Sequence, residues 1–160
     1  MDKAGWKART KKIGALCIAT GGFSGYFPIA PGTAGSVVGL AFAWALRDAS
    51  IPVQVAAAVV LCLIGVWASD KARQIFAQED PSRVVIDEIV GMMITMIGIP
   101  VTPYSLVWGF VLFRIFDVIK IPPANIFDSH VKNGWGVMLD DVWAGIYGNI
   151  LLHLMLRARI

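Results

Sequence analysis

The chain has 160 residues, enough for one domain, and 57% of them are hydrophobic. Only 16% are charged and the mean hydropathy is +0.68, whereas an ordinary soluble domain carries about 25% charged residues, so an integral membrane protein is favoured over a soluble one. The formal net charge of +3 comes largely from Lys3, Lys7, Arg9, Lys11 and Lys12, and no basic stripe continues beyond them, which argues against a nucleic-acid partner and for a contact with anionic lipid headgroups.

In chain order, residues 1–12 read as a polar, basic tail and residues 13–160 as a single membrane-embedded domain. Ile13 to Ala30 is rich in small residues and broken by Gly21, Gly22 and Gly25. Pro31-Gly32-Thr33 then opens a helix expected over Ala34 to Leu46, with Thr33 as its cap. Ile51 to Ser69 is the cleanest membrane span, with Gln54 its one polar residue and a length close to the ~20 residues that cross a bilayer. Asp70 to Arg83 reads as an aqueous loop or a surface helix. Val84 to Ile99 is apolar apart from Asp87, Glu88 and Thr95, and Tyr104 to Ile119 is the next apolar segment. Residues 120–139 form a long loop, and Val142 to Leu156 is a last helix, interrupted by Asn149 and His153. Cys17 and Cys62 lie in apolar surroundings and read as small core residues. The expected fold is all-α: a polytopic bundle of about four to five membrane helices, with an active-site loop at the cytoplasmic face.

Threading these segments with the basic tail inside, by the positive-inside rule, brings the charged residues together. Thr33, Asp70, Asp87, Glu88, Arg114, Asp117, Lys120, Asp128, Asp140 and Asp141 all fall at the cytoplasmic ends of helices or in cytoplasmic loops. Charges at the ends of apolar segments are costly unless paired or bound to a ligand. The convergence therefore predicts one site at the membrane surface.

Arg114, Asp117 and Lys120 are spaced three apart and share one side of a helix. They are either a self-satisfying ladder or a pair of cations facing a phosphate, with Asp117 orienting them or binding metal. Asp87-Glu88 and Asp140-Asp141 are two acidic pairs, and a hard divalent cation would relieve their repulsion. Taken alone, Asp140-Asp141 reads as a helix N-terminal cap. Pro31-Gly32-Thr33 could present backbone N–H groups to an anion. His130, in the charged loop, is a candidate acid/base or phosphate contact, and His153 a packed histidine.

The combination PGTAGS, IDEIVG, FRIFDVIK, the FDSH loop and GVMLDDVWAG resembles the phosphatidylglycerophosphatase A family, from about Phe23 to Gly145. The resemblance implies a Mg²⁺-dependent phosphatase of the bacterial cytoplasmic membrane, multi-pass, with its active site facing the cytoplasm. Its substrate would be phosphatidylglycerophosphate and its product phosphatidylglycerol, a step of phospholipid synthesis. Carried onto this chain, the implied catalytic residues are Asp87, Glu88, Asp117, Asp140 and Asp141. Mg²⁺ would sit on Asp87, Glu88, Asp140 and Asp141, and the phosphate on Thr33, Arg114, Lys120 and His130. The chain has Ile121 between Lys120 and Pro122, where relatives often place Pro directly after Lys, and Asn133-Gly134 where they often carry two glycines. The competing reading is a small proton-coupled transporter or channel, which requires polar residues spread through the depth of the spans.

Overall fold

The structure is a computed structural model describing residues 3–78, 81–125 and 131–158. These residues form helices and turns with no strand among them: α1 (Lys3–Ala19), a 3₁₀ turn (Ser24–Tyr26), α2 (Pro31–Ala45), α3 (Ile51–Phe76), α4 (Ile86–Thr95), α5 (Pro103–Ile119) and α6 (Gly134–Arg157).

The core is built around α4. Ile86, Ile89, Val90, Gly91, Met92, Met93 and Thr95 are all buried, so this helix is apolar on nearly every side because it has neighbours on nearly every side. It packs against α2, α3, α5 and α6. Its closest approach is to α6, where a Cβ on Gly145 would strike the Gly91 carbonyl. Only glycine permits that backbone contact.

A helix of ten residues rises about 15 Å, half of a bilayer's hydrocarbon core of about 30 Å. The apolar run from Val84 to Ile99 is thus not one span, as its composition suggested. Two polar residues that interrupt other helices, Asn149 and Gln54, serve the end of α4. Asn149 Nδ2 donates to the carbonyls of Thr95 (3.0 Å) and Ile97 (2.9 Å), and Gln54 Oε1 accepts from the Gly98 N–H (2.9 Å). His153 Nδ1 lies 3.0 Å from the Asn149 carbonyl. The Asn149 and Gln54 contacts satisfy backbone groups that a buried helix end would otherwise leave unpaired.

Among the described residues, α3 is the one helix long and apolar enough to cross a membrane, where composition led to an expectation of four to five. Its inner face carries the small residues Ala58, Gly65, Ala68, Ser69 and Ala72. Its outer face exposes Val59, Val60, Leu63 and Trp67. Exposed apolar side chains continue on α2 (Val37, Phe42), α5 (Val107, Val118, Ile119) and α6 (Ile150, Leu154).

Several boundaries differ from the sequence reading. The basic stretch is the first part of α1, which packs on α3. α2 starts at Pro31, whose fixed φ and missing N–H suit a first helical position, so Thr33 lies inside the first turn and does not cap it. α3 runs on through Asp70 and Arg73 to Phe76. α6 begins at Gly134, not Val142, with Asn133 accepting from the N–H groups of Trp135 (2.9 Å) and Gly136 (3.3 Å).

Candidate functional site

Five helix ends meet at one face of the bundle: the starts of α2, α4 and α6 and the ends of α3 and α5. They enclose a cavity of about 600 Å³. Its wall takes Pro31 and Gly32 from α2, Arg73 from α3, Asp87 and Glu88 from α4, Arg114 and Asp117 from α5, and Asp140 and Asp141 from α6. Lys120, just past α5, completes the set together with Lys132 and Asn133.

Three carboxylates form its acidic centre. One oxygen each from Asp87, Glu88 and Asp141 lies within 4.8 Å of the other two. Asp87 and Glu88 are partly buried and Asp141 is buried. Asp87 Oδ1 accepts from the Glu88 N–H (3.0 Å), which fixes the turn between them. Glu88 Oε2 is shut off from water and has no hydrogen-bond partner. Burial first, and the Glu88 carboxylate second, push Asp87 well above the ordinary carboxylate range. Burial raises Glu88 as well, against the opposing pull of its hydrogen bond with Asp87 and of Arg114.

The cations are held by the other acids. Arg114 Nη1 lies 2.6 Å from Asp117 Oδ2, one turn further along α5. Lys120 takes a left-handed backbone conformation (φ 49°) that ends α5, and its Nζ reaches Asp140 Oδ2 at 2.9 Å. The loop beyond it is tied to α6 by Tyr147, whose hydroxyl donates to the Pro122 carbonyl (2.6 Å). The two members of the 140–141 pair therefore part company: Asp141 joins the acidic centre and Asp140 holds Lys120. Asp140 Oδ1 also accepts from the Asp141 N–H (3.0 Å). Neither acid caps a helix, because α6 begins two turns earlier.

The start of α2 lies against this centre. A Cβ on Gly32 would collide with Glu88 Oε1 and approach Arg114 Nη1 to 3.2 Å. Of the residues expected at the site, Thr33 is not part of the cavity wall. Asp128 and His130 lie outside the described residues. Arg73 and Lys132 were missed. Arg73 was hidden by taking α3 to stop at Ser69, although the helix-favouring run through Ala72 to Phe76 was readable. Asp70 Oδ1 accepts from the Gly134 N–H (2.6 Å) and lies 3.7 Å from Arg73 Nη1, tying the end of α3 to the start of α6.

Acids in close contact, flanked by cations in one cavity, match the arrangement expected for handling a phosphate ester. The sequence model of the phosphatidylglycerophosphatase A family matches residues 17–156. The chain belongs to the phosphatidylglycerophosphatase A family. Two relatives carry that name: one from Escherichia coli (strain K12), 36% identical over 86% of this chain and 81% of its own, and one from Haemophilus influenzae, 34% identical over 89% and 91%. A Bacteroides thetaiotaomicron protein is 41% identical over 86% of this chain and 90% of its own, and is provisionally named a phosphatidylinositol-3-phosphatase. No solved structure matches the chain. Membership makes the chain a phosphoric monoester hydrolase acting on lipid, and the transporter reading finds no support in the fold or the relatives.

Proposed function

We propose that the chain hydrolyses phosphatidylglycerophosphate to phosphatidylglycerol and phosphate, using Mg²⁺, as a step in phospholipid synthesis. The observation that carries this reading is the cluster of Asp87, Glu88 and Asp141 beside Arg114 and Lys120. The donor set fits a hard cation: every ligand atom is a carboxylate oxygen, and Glu88 Oε2 is buried without a partner. Bound there, Mg²⁺ would offset the carboxylate charge and lower the cost of forming the attacking hydroxide.

The chain's own residues supply position and charge. Arg114 and Lys120 neutralise the oxygens of the terminal phosphoryl group, held towards the cavity by Asp117 and Asp140. The start of α2 adds the positive end of its dipole. A water oxygen attacks phosphorus, the bond to the glycerol oxygen breaks, and that oxygen leaves with a proton. The sequence holds no Asp-x-Asp-x-Thr phosphoaspartate motif and no Cys-x5-Arg loop, which favours water over a covalent nucleophile.

The apolar side chains exposed on α2, α3, α5 and α6 support a multi-pass arrangement in the membrane. Helix α4 is then a buried half-length helix whose end is satisfied by Asn149 and Gln54. Lys11, Lys12 and Lys71 support a cytoplasmic site, since they share a neighbourhood at the cavity end of α3.

The name of the Bacteroides relative makes phosphatidylinositol 3-phosphate the competing substrate. Phosphate release from the two lipids by the purified protein, with Mg²⁺ and with EDTA, separates the readings. Faster release from phosphatidylglycerophosphate, abolished by EDTA, is the expected result.

A further inference from the structure

Lipid phosphomonoesters of this kind carry two phosphorus centres. The terminal group is cleaved. The second, a phosphodiester, stays with the product and bears its own negative charge. Chemistry at the first centre uses the side of the cavity built by α2, α4, α5 and α6.

The cavity is larger than that chemistry requires, at about 600 Å³, and it has a second cationic wall. Helices α3 and α5 both pack on the α4–α6 pair. Arg114 and Lys120 reach the cavity from the α5 side, and Arg73 reaches it from the α3 side, with Lys132 beside the start of α6. The acidic centre lines the same cavity.

Arg73 is a placed residue. Its side chain is only 15% exposed, and it sits at 3.7 Å from Asp70. Asp70 is in turn fixed by the Gly134 N–H at 2.6 Å. The start of α6 lies close against α3 here, since a Cβ on Gly134 would strike the Val66 carbonyl. A guanidinium held in this way presents a planar donor set to an anion, which an arginine does better than a lysine.

We propose that Arg73, assisted by Lys132, is a second anion subsite that binds the phosphodiester of the lipid substrate. It selects substrates in which a diester and a terminal phosphate are joined by a short polyol. The proposal rests on the two-phosphate lipid reading above. A lipid with one phosphate, such as phosphatidic acid, fills one wall and leaves the other without its anion.

The test uses the full chain in mixed micelles, with Arg73→Gln, Arg73→Lys and Lys132→Gln compared with wild type. Kinetics are followed on phosphatidylglycerophosphate. Inhibition is measured with phosphatidylglycerol, which carries only the diester, and with inorganic phosphate, which mimics only the terminal group. The subsite predicts that Arg73→Gln raises KM about tenfold while kcat changes little, since the diester is unaltered in the reaction. It predicts weaker inhibition by phosphatidylglycerol and unchanged inhibition by phosphate. Lys132→Gln shows the same pattern to a smaller degree, and Arg73→Lys restores part of the loss. Weakened inhibition by both ligands together, or a fall in kcat at unchanged KM in both Gln variants, would overturn the subsite and leave Arg73 a structural residue. The parent reading fails separately, if the wild-type protein releases no phosphate from the two-phosphate lipid.

Discussion

The Glu88 carboxylate lies against the α-carbon of Gly32, in the space that any Cβ at that position would take. This contact links the start of α2 to the acidic centre, and it makes the glycine a requirement of the site. Gly32→Ala is expected to displace Glu88 and Arg114 together and to lower kcat/KM by about a hundredfold, the scale of a misplacement of about 1 Å. Gly14→Ala is the control. Nothing lies within 4 Å of its added carbon, and activity is expected to stay at the wild-type level. Equal activity in the two variants would break the link between α2 and the site.

Asp140 and Asp141 are adjacent in the chain yet hold different partners, so their Asn variants are expected to fail differently. Asp141→Asn removes an oxygen from the acidic centre, lowering kcat by about 10²–10³-fold and raising the Mg²⁺ needed for half-maximal rate. Asp140→Asn loosens Lys120, costing roughly tenfold to a hundredfold with the Mg²⁺ requirement unchanged. Mg²⁺ titrations of the two variants check this. The same metal shift in both would return Asp140 to the ligand set.

Asp87 titrates above the ordinary carboxylate range because it is buried beside Glu88. Without metal, the folded chain then binds more protons than the unfolded chain between the ordinary and the raised value. Stability therefore falls as pH rises through that window. A divalent cation needs the ionised form, so its affinity rises with pH over the same window. Melting curves in EDTA at several pH values should fall towards neutral pH, and added Mg²⁺ should recover the loss. A metal-free protein that grows more stable with rising pH would contradict this.

Asn149 donates to two carbonyls at the end of α4. Asn149→Leu leaves both buried acceptors without that donor and is expected to cost about 1–3 kcal/mol per orphaned group, read as a lowered melting temperature. The site lies at the other end of α4, so KM should not change in the protein that remains folded.

The convergence of charges was legible in the sequence because Asp87, Arg114 and Asp117 sit where apolar segments begin or end. In a chain this apolar, such placement leaves few arrangements. The division of labour between Asp140 and Asp141 was not legible. Neighbouring residues on a helix are rotated apart by about 100°, so adjacency in sequence conceals separate partners. The start of α6 was missed because Gly134 and Gly136 read as loop residues, whereas here they allow close packing against Val66 and Val131. The length of α4 was overestimated because composition does not reveal where a buried helix stops. Asn149 and Gln54 mark that end, and both looked like interruptions of their own helices.

The measurement that tests the central claim most directly is phosphate release from phosphatidylglycerophosphate by wild type and Asp141→Asn. Each would be assayed with Mg²⁺ and with EDTA, on protein shown to be folded by its melting transition. The account predicts release by the wild type, its loss in EDTA, recovery on adding Mg²⁺, and little release by the variant in either condition. Wild-type release that survives EDTA, or a folded Asp141→Asn protein with full Mg²⁺-dependent activity, would contradict it.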